Sequence, residues 1–194
     1  MGNISQIVKT VYNEYISYFG EPDLSTRFGG NEPEKEESHL PGIIDVFVWL
    51  ADEEVDITTF ATIGMSDKPM KGTNFRAELH FSIRGTLTEN EISTVSVFMA
   101  NVAVYPFIQD VYFDWLQLLS NPGEIPCFDK ATSLLFHPAF VENGWDKINT
   151  DEQDVKILNL VPITEDERIL MKQEGFGALA RHFEQSNIDL FERR

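Results

Sequence analysis

The sequence predicts an α+β fold in one domain, residues 1–194, with a mostly antiparallel or mixed sheet of about six strands and packed helices. Three observations point there. The periodic segments follow the order α-β-β-β-α-β-β-β-α-α, with strands and helices grouped rather than strictly alternating. The early strand-to-strand connections, residues 52–56 and 65–75, are too short for the helical crossover a parallel pair requires. A chain of 194 residues with 42% hydrophobic and 12% aromatic content can bury one sizeable core.

Each element has a local reason. Ile4, Ile7, Val8, Val11, Tyr15, Ile16 and Phe19 recur at three- and four-residue steps, which predicts a helix over 4–19, and Asn3 and Gln6 have capping-box spacing. Pro22, Gly29-Gly30 and the acidic run up to His39 predict a long loop over 20–42. Residues 43–51, IIDVFVWLA, are apolar on both faces, as in a central strand, which makes Trp49 a core residue. Ile57–Gly64, rich in Thr and Ile, predicts the next strand.

Residues 76–84 alternate, with Ala77, Leu79, Phe81 and Ile83 on a buried face and Arg76, Glu78, His80, Ser82 and Arg84 on a wet or partner-facing one. Thr88-x-x-Glu91 opens a helix whose core stripe is Ile92, Val95, Phe98, Met99 and Val102, and Pro106 marks its expected end. Strands are expected at Tyr112–Leu119, Thr132–His137 and Val155–Val161, between Asn121-Pro122-Gly123 and Asn143-Gly144 turns. Thr164-x-x-Glu167 opens a last helical region that Gly175 and Gly177 break in two, with Leu179 and Phe183 on the second piece.

Charge narrows the function classes. The chain has 32 Asp and Glu against 15 Lys and Arg, a formal charge of −17. The acids are spread over both halves, with dense clusters at Glu32, Glu34, Glu36, Glu37 and at Asp151, Glu152, Asp154. Such a surface repels nucleic acid, whose binding needs phosphates neutralised by Lys and Arg, and attracts a basic partner. No apolar run is expected to span a membrane, and the N-terminus has neither a secretory signal nor a myristoylation pattern, so a cytoplasmic protein is expected. The lone Cys127 excludes an internal disulfide and a cysteine-based zinc site, and its apolar surroundings suit an inert thiol.

Positive evidence for catalysis is thin. His39, His80, His137 and His182 form no metal-ligand pair, and neither a phosphate loop nor a nucleophile elbow is present. No catalytic residue, cofactor or metal is therefore expected. Glu78 and His80, two apart on a strand, project from one face and could serve a hydrolase as an acid–base pair; the plainer reading is an exposed sheet face. Binding is better supported. Phe107 to Trp115 mixes aromatic and apolar side chains with Asp110 and Asp114, and Trp145 follows a turn among acids, where exposure is expected. The long segments 20–42 and 138–154 exceed what a compact domain needs.

Taken together and in order, these segments resemble the Suppressor of fused domain family over roughly residues 40–190. Thr62-Ile63-Gly64-Met65-Ser66-Asp67, followed by Glu78-Leu79, is similar to the family's T-x-G-[ML]-S-D strand and turn and its E-L strand. Pro162-Ile163-Thr164-x-x-Glu167, continuing to Gly175 and Leu179, resembles the C-terminal strand and helix start. Met99-Ala100-Asn101 and Asp114 resemble the helix end and the G-D segment, with Phe113 standing where the family usually has Gly. In this motif Gly64, Ser66 and Asp67 are turn-formers rather than catalysts.

The resemblance implies a non-enzymatic protein-binding module. The eukaryotic member clamps an extended peptide between two domains by added strand pairing. Bacterial single-domain relatives look like immunity proteins that bind and neutralise a toxin domain. The expected partner is thus a protein, most concretely a basic toxin, contacted by Asp110, Tyr112, Asp114 and Trp145, of which Asp114 alone is supported by the resemblance. The alternatives are the Glu78/His80 hydrolase and an acidic nucleic-acid mimic that occupies a nuclease's phosphate groove.

Overall fold

Strand alternation builds a sheet with two buried faces. In β2 (Ile43–Trp49) and β4 (Arg76–Arg84), the residues Ile44, Val46, Val48 and Ala77, Leu79, Phe81, Ile83 enter one core, while Phe47 enters another. The computed structural model of the chain describes residues 5–30, 38–140 and 144–194. Its eight strands run β1-β2-β3-β4-β8-β6-β5, with β7 also on β8. The other strands are β1 (Leu24–Gly29), β3 (Ile57–Ile63), β5 (Leu118–Ser120), β6 (Ala131–His137), β7 (Lys147–Ile148) and β8 (Val155–Thr164). Every pair is antiparallel except β4–β8, which is parallel from Arg76 opposite Val155 to His80 opposite Asn159.

Helices cover both faces. On one, α2 (Glu89–Ile108) lays Ile92, Val95, Phe98, Met99 and Val102 over Val46, Phe60, Leu79 and Phe81, as its spacing predicts. On the other, α1 (Gln6–Phe19) packs Ile7, Val11 and Tyr15 on Phe47, Ile63 and Ile157. Further along that face, α3 (Glu165–Glu174) and α4 (Phe176–Gln185) cover Leu135, Val161 and Ile163, with Leu179 and Phe183 reaching the strands. Two of the three expected capping boxes form: Thr88 with Glu91, and Thr164 with Glu167. Gly175, at φ 82°, separates α3 from α4.

In the secondary structure and its packing, six features depart from the sequence reading. The sheet has eight strands rather than about six. β1 lies inside the expected 20–42 loop; as an edge strand, exposed except at Phe28, it has no buried face to impose a two-residue period, and its pairing with β2 includes the Arg27–Asp45 bidentate pair at 2.7 and 2.8 Å. β4's polar side is not wet: Glu78 and His80 are buried beneath α1. α2 continues past Pro106 to Ile108, since a proline so near the end removes only one intrahelical donor. α1 is capped by Ser5, whose hydroxyl accepts from the Val8 amide, while Asn3 lies outside the described residues, as do Glu32, Glu34, Glu36 and Glu37.

The sixth difference is the expected strand 112–119, which shrinks to Leu118–Ser120. The Asp114 carboxylate accepts from the Trp115 amide at 2.7 Å, Gln117's side chain accepts from the Asp114 amide at 3.1 Å, and Asp110 and Leu116 hold positive φ. Local side-chain hydrogen bonds hold the Asp114 and Trp115 amides out of the ladder, while the Leu116 amide and the Gln117 carbonyl still bond to Phe136 of β6 at 2.7 and 3.0 Å.

The C-terminal residues fasten the layers. The Arg194 guanidinium donates to buried Glu167 at 2.5 and 3.2 Å and to the Pro162 carbonyl at 3.0 Å; Arg193 reaches Glu91 at 2.9 Å. Arg194→Ala leaves the Glu167 carboxylate buried with its charge uncompensated, and we expect a loss of about 2–4 kcal/mol in urea unfolding. Arg193→Ala, which breaks a more exposed pair, is expected to cost less than about 1 kcal/mol.

Candidate partner interface and the buried polar centre

The segment after α2 is the most promising contact surface among the described residues. Ile108 is 59% exposed, Tyr112 46%, and Val111 and Leu116 are also exposed, so a short stretch presents large apolar groups beside carboxylates. It is tied down at both ends. Asp110 pairs with Lys71, and Asp114 accepts from Lys156 at 2.6 Å. The Lys156 ammonium also sits over the Phe75 ring at 3.9 Å and the Trp115 ring at 4.5 Å, while Trp115 Nε1 donates to the Ile157 carbonyl at 3.0 Å. Of the expected contact residues, Asp110 and Tyr112 are exposed at the surface, Asp110 in its pair with Lys71. Asp114 is half-buried and engaged with Lys156, so its first role is to hold this segment on the sheet.

Trp145 lies elsewhere. It is half-buried rather than exposed, on the α1 side of the sheet, edge-on to Tyr15 with centroids 5.2 Å apart and stacked on Tyr18 at 4.6 Å. Lys156, which holds Asp114, alternates along β8 with Val155 and Ile157 of Trp145's cluster and so points to the opposite face. The structure thus groups Asp110, Tyr112 and Asp114 and separates Trp145 from them. Trp49, expected in the core, is also half-buried in the aromatic group, its Nε1 donating to the Gly20 carbonyl at 3.1 Å. Asn143-Gly144 signalled a turn but could not reveal that α1 folds over the residue that follows.

Glu78 and His80 form a buried polar centre instead of a catalytic face. The Glu78 carboxylate accepts from the Thr62 hydroxyl at 2.7 Å, the Gly64 amide at 2.9 Å, the Ser66 amide at 3.0 Å and the Ser66 hydroxyl at 2.6 Å. Gly64 has φ 115°, and a β-carbon there would lie 2.2 Å from the Ile43 carbonyl oxygen, so only glycine fits. Burial pushes the carboxyl up to about 7, against the lowering effect of the hydrogen bonds from Ser66, Thr62 and Gly64. His80 Nε2 and the Tyr15 hydroxyl are hydrogen-bonded at 2.9 Å; burial pushes the imidazole down to about 3, and burial followed by the Glu78 charge raises the phenol. Both side chains are too enclosed for the acid–base role considered above.

A cavity of about 430 Å³ opens where α4 and residues 187–191 meet the sheet, lined by Leu135, Val161, Phe140, Phe176, Phe183 and Phe191 among others. None of the expected site residues lines it. Cys127 is half-buried, and burial raises its thiol, in keeping with an inert cysteine. Among the described residues, no three His, Cys, Asp or Glu side chains are grouped to hold a metal.

The family model described as Suppressor of fused protein (SUFU) matches residues 41–194. A SUFU homologue from Neisseria gonorrhoeae matches the fold with a TM-score of 0.68 at 17% identity, over 96% of this chain and 93% of that one. The structure of a Sufu–Fu complex matches at 0.59 and 14% identity, over 95% and 83%. Drosophila Suppressor of Fused matches at 0.61 and 13%, over 95% of this chain and 46% of that one, so this chain spans about half its length. No curated protein matches in sequence.

The buried centre predicts a pH signature. Because Glu78's value is raised in the fold, ionisation costs stability, and that contribution declines as pH rises from about 4.5 to about 7, by about 3 kcal/mol. His80 acts in the other direction: its depressed value makes protonation costly, so stability is lost as pH falls from about 6.5 toward 3. Glu78→Gln keeps the Oε1 acceptor, can donate to Thr62, and should abolish the decline between pH 4.5 and 7 in urea titrations. Parallel wild-type and Glu78→Gln profiles would show that Glu78 does not titrate there. Glu78→Ala, which strands the Gly64 and Ser66 donors, should cost about 3–5 kcal/mol near pH 4.5 and progressively less as pH rises toward 7, where ionisation has already cost the parent its advantage.

Proposed function

The chain belongs to the Suppressor of fused family, and on that premise we propose that it is a non-enzymatic binding module whose partner is a basic protein, most concretely a toxin domain that it neutralises. The observation that carries the reading is the stretch Ile108–Leu116: exposed apolar and aromatic groups beside carboxylates, anchored by Lys71 and Lys156, on a chain of charge −17. Tyr112 supplies apolar area at little entropic cost, as interface anchors do. Asp110, 67% exposed at its side chain, lies where it can exchange Lys71 for a partner's cation. The acid excess speeds encounter with a basic surface. The related Sufu–Fu complex supports a protein as the class of partner.

The proposal includes a cytoplasmic setting, with the chain acting on a toxin that arrives from outside or is made within. A toxin with nuclease activity would bring the mimicry reading into play, because carboxylates would then occupy its phosphate groove.

The test is capture from the native host's lysate, with toxicity of the retained protein measured with and without this chain. A single basic protein, retained stoichiometrically and silenced, is expected. Tyr112→Ala and Asp110→Lys should each weaken its binding about tenfold or more, and affinity should fall between low and high salt. Binding that neither substitution alters would move the interface off residues 108–116. Competition by DNA or RNA would select the mimic.

A further inference from the structure

From Ile92 to Gln109 the chain contains no Asp, Glu, Lys or Arg, the longest such run in the sequence. With a mean hydropathy of 1.4, α2 is long and apolar enough to cross a membrane, contrary to the expectation from sequence, but its inner face is part of the sheet's core. The outer face exposes Thr94, Val97, Asn101, Tyr105 and Ile108, three or four residues apart and therefore in one stripe. An uncharged stripe about 21 Å long is out of keeping with a surface that otherwise carries the excess of a −17 chain.

We propose that this stripe is a symmetric contact between two copies of the chain. Two like-charged molecules repel wherever their acidic surfaces meet, and this face lets them touch without that cost. Its pattern is self-complementary. Antiparallel packing about a two-fold axis at Asn101 places Val97 against the other copy's Tyr105 and Thr94 against its Ile108, smaller side chains against larger ones. At the axis each Asn101 amide can donate to the other's carbonyl oxygen, a polar pairing that sets the register. The opposed helix dipoles add to the attraction. One helix face buries less than a standard interface of about 1,600 Å², so the dimer is reversible, with dissociation in the micromolar range. The inference shares Ile108 with the proposed partner-binding stretch but rests on the outer face of α2, not on the toxin reading.

Sedimentation equilibrium of the purified chain from about 1 to 200 µM decides it. The weight-average mass is expected to climb from 22.2 kDa toward twice that value, and to climb further in high salt, where repulsion is screened. Asn101→Asp and Asn101→Lys, both at an exposed position, should each weaken self-association about tenfold or more by setting like charges at the axis. An equimolar mixture of the two should associate again, since Asp then faces Lys. Val97→Lys mixed with Tyr105→Glu provides the same reciprocal rescue away from the axis. A chain that stays at 22.2 kDa throughout would overturn the proposal, as would Asn101 variants that dimerise like the parent or a mixture no better than its components.

Discussion

One carboxylate determines how the centre of this molecule is put together. Glu78 has no access to water, so its oxygens must be satisfied from within, and all four donors come from the five residues Thr62–Ser66. That requirement ends β3 at Ile63, demands glycine at 64 and winds Met65–Asp67 into a 3₁₀ turn that buries Met65. It also couples the turn to β4, because the Thr62 hydroxyl accepts from the Leu79 amide at 2.8 Å while donating to Glu78. Arg76, at the start of the same strand, clamps the turn from outside by donating to the Ser66 and Asp67 carbonyls. α1 completes the enclosure, with Tyr15 hydrogen-bonded to His80. Such a centre adds modestly to stability when complete and costs much more when a member is missing, which makes it a device for specifying one arrangement.

The distribution of basic side chains explains how the chain keeps its acid excess on the outside. Lys156, Arg84 and Arg194, along with Arg27, Lys71 and Arg193, are engaged in ion pairs that brace the fold. With 32 acids against 15 Lys and Arg, the exterior is dominated by carboxylates, and the uncharged outer face of α2 stands out against it. The apolar stretch after α2 and the aromatic group around Trp145 occupy opposite sides of the sheet, so no single flat partner covers both.

What could be read in the sequence is what local chemistry controls. The capping boxes at Thr88 and Thr164, the α2 stripe, the break at Gly175 and the inward residues of β2 and β4 follow from spacing and side-chain type. The motif Thr62–Asp67 was legible as a family resemblance and as a turn, but its purpose was not, because Glu78 lies twelve residues beyond Ser66 and only tertiary pairing brings them together. The same gap hid α1 over β4's polar face: alternation says that Glu78 and His80 share a side, not what covers it. β1 escaped because an exposed edge strand leaves no hydrophobic period, and Trp145 because proximity to α1 is a fact of packing. Of the expected contact residues, Asp110 and Tyr112 could be placed at the surface by composition; the engagement of Asp114 with Lys156, 42 residues away, could not.

The parallel pairing of β4 with β8 has a kinetic consequence. The strands β1 to β4 form a meander of neighbours that can assemble as soon as residues 24–84 are available. β8 begins at Val155, and its ladder with β4 closes a loop that contains α2, β5, β6 and β7. Ordering so long a loop costs entropy before any ladder bond returns it, so this pairing is expected to form after the meander. Until it happens, a polypeptide emerging from a ribosome carries the apolar edge of β4 as an open template for other strands. Strand β8, by docking there, joins the two halves of the sheet and closes that edge.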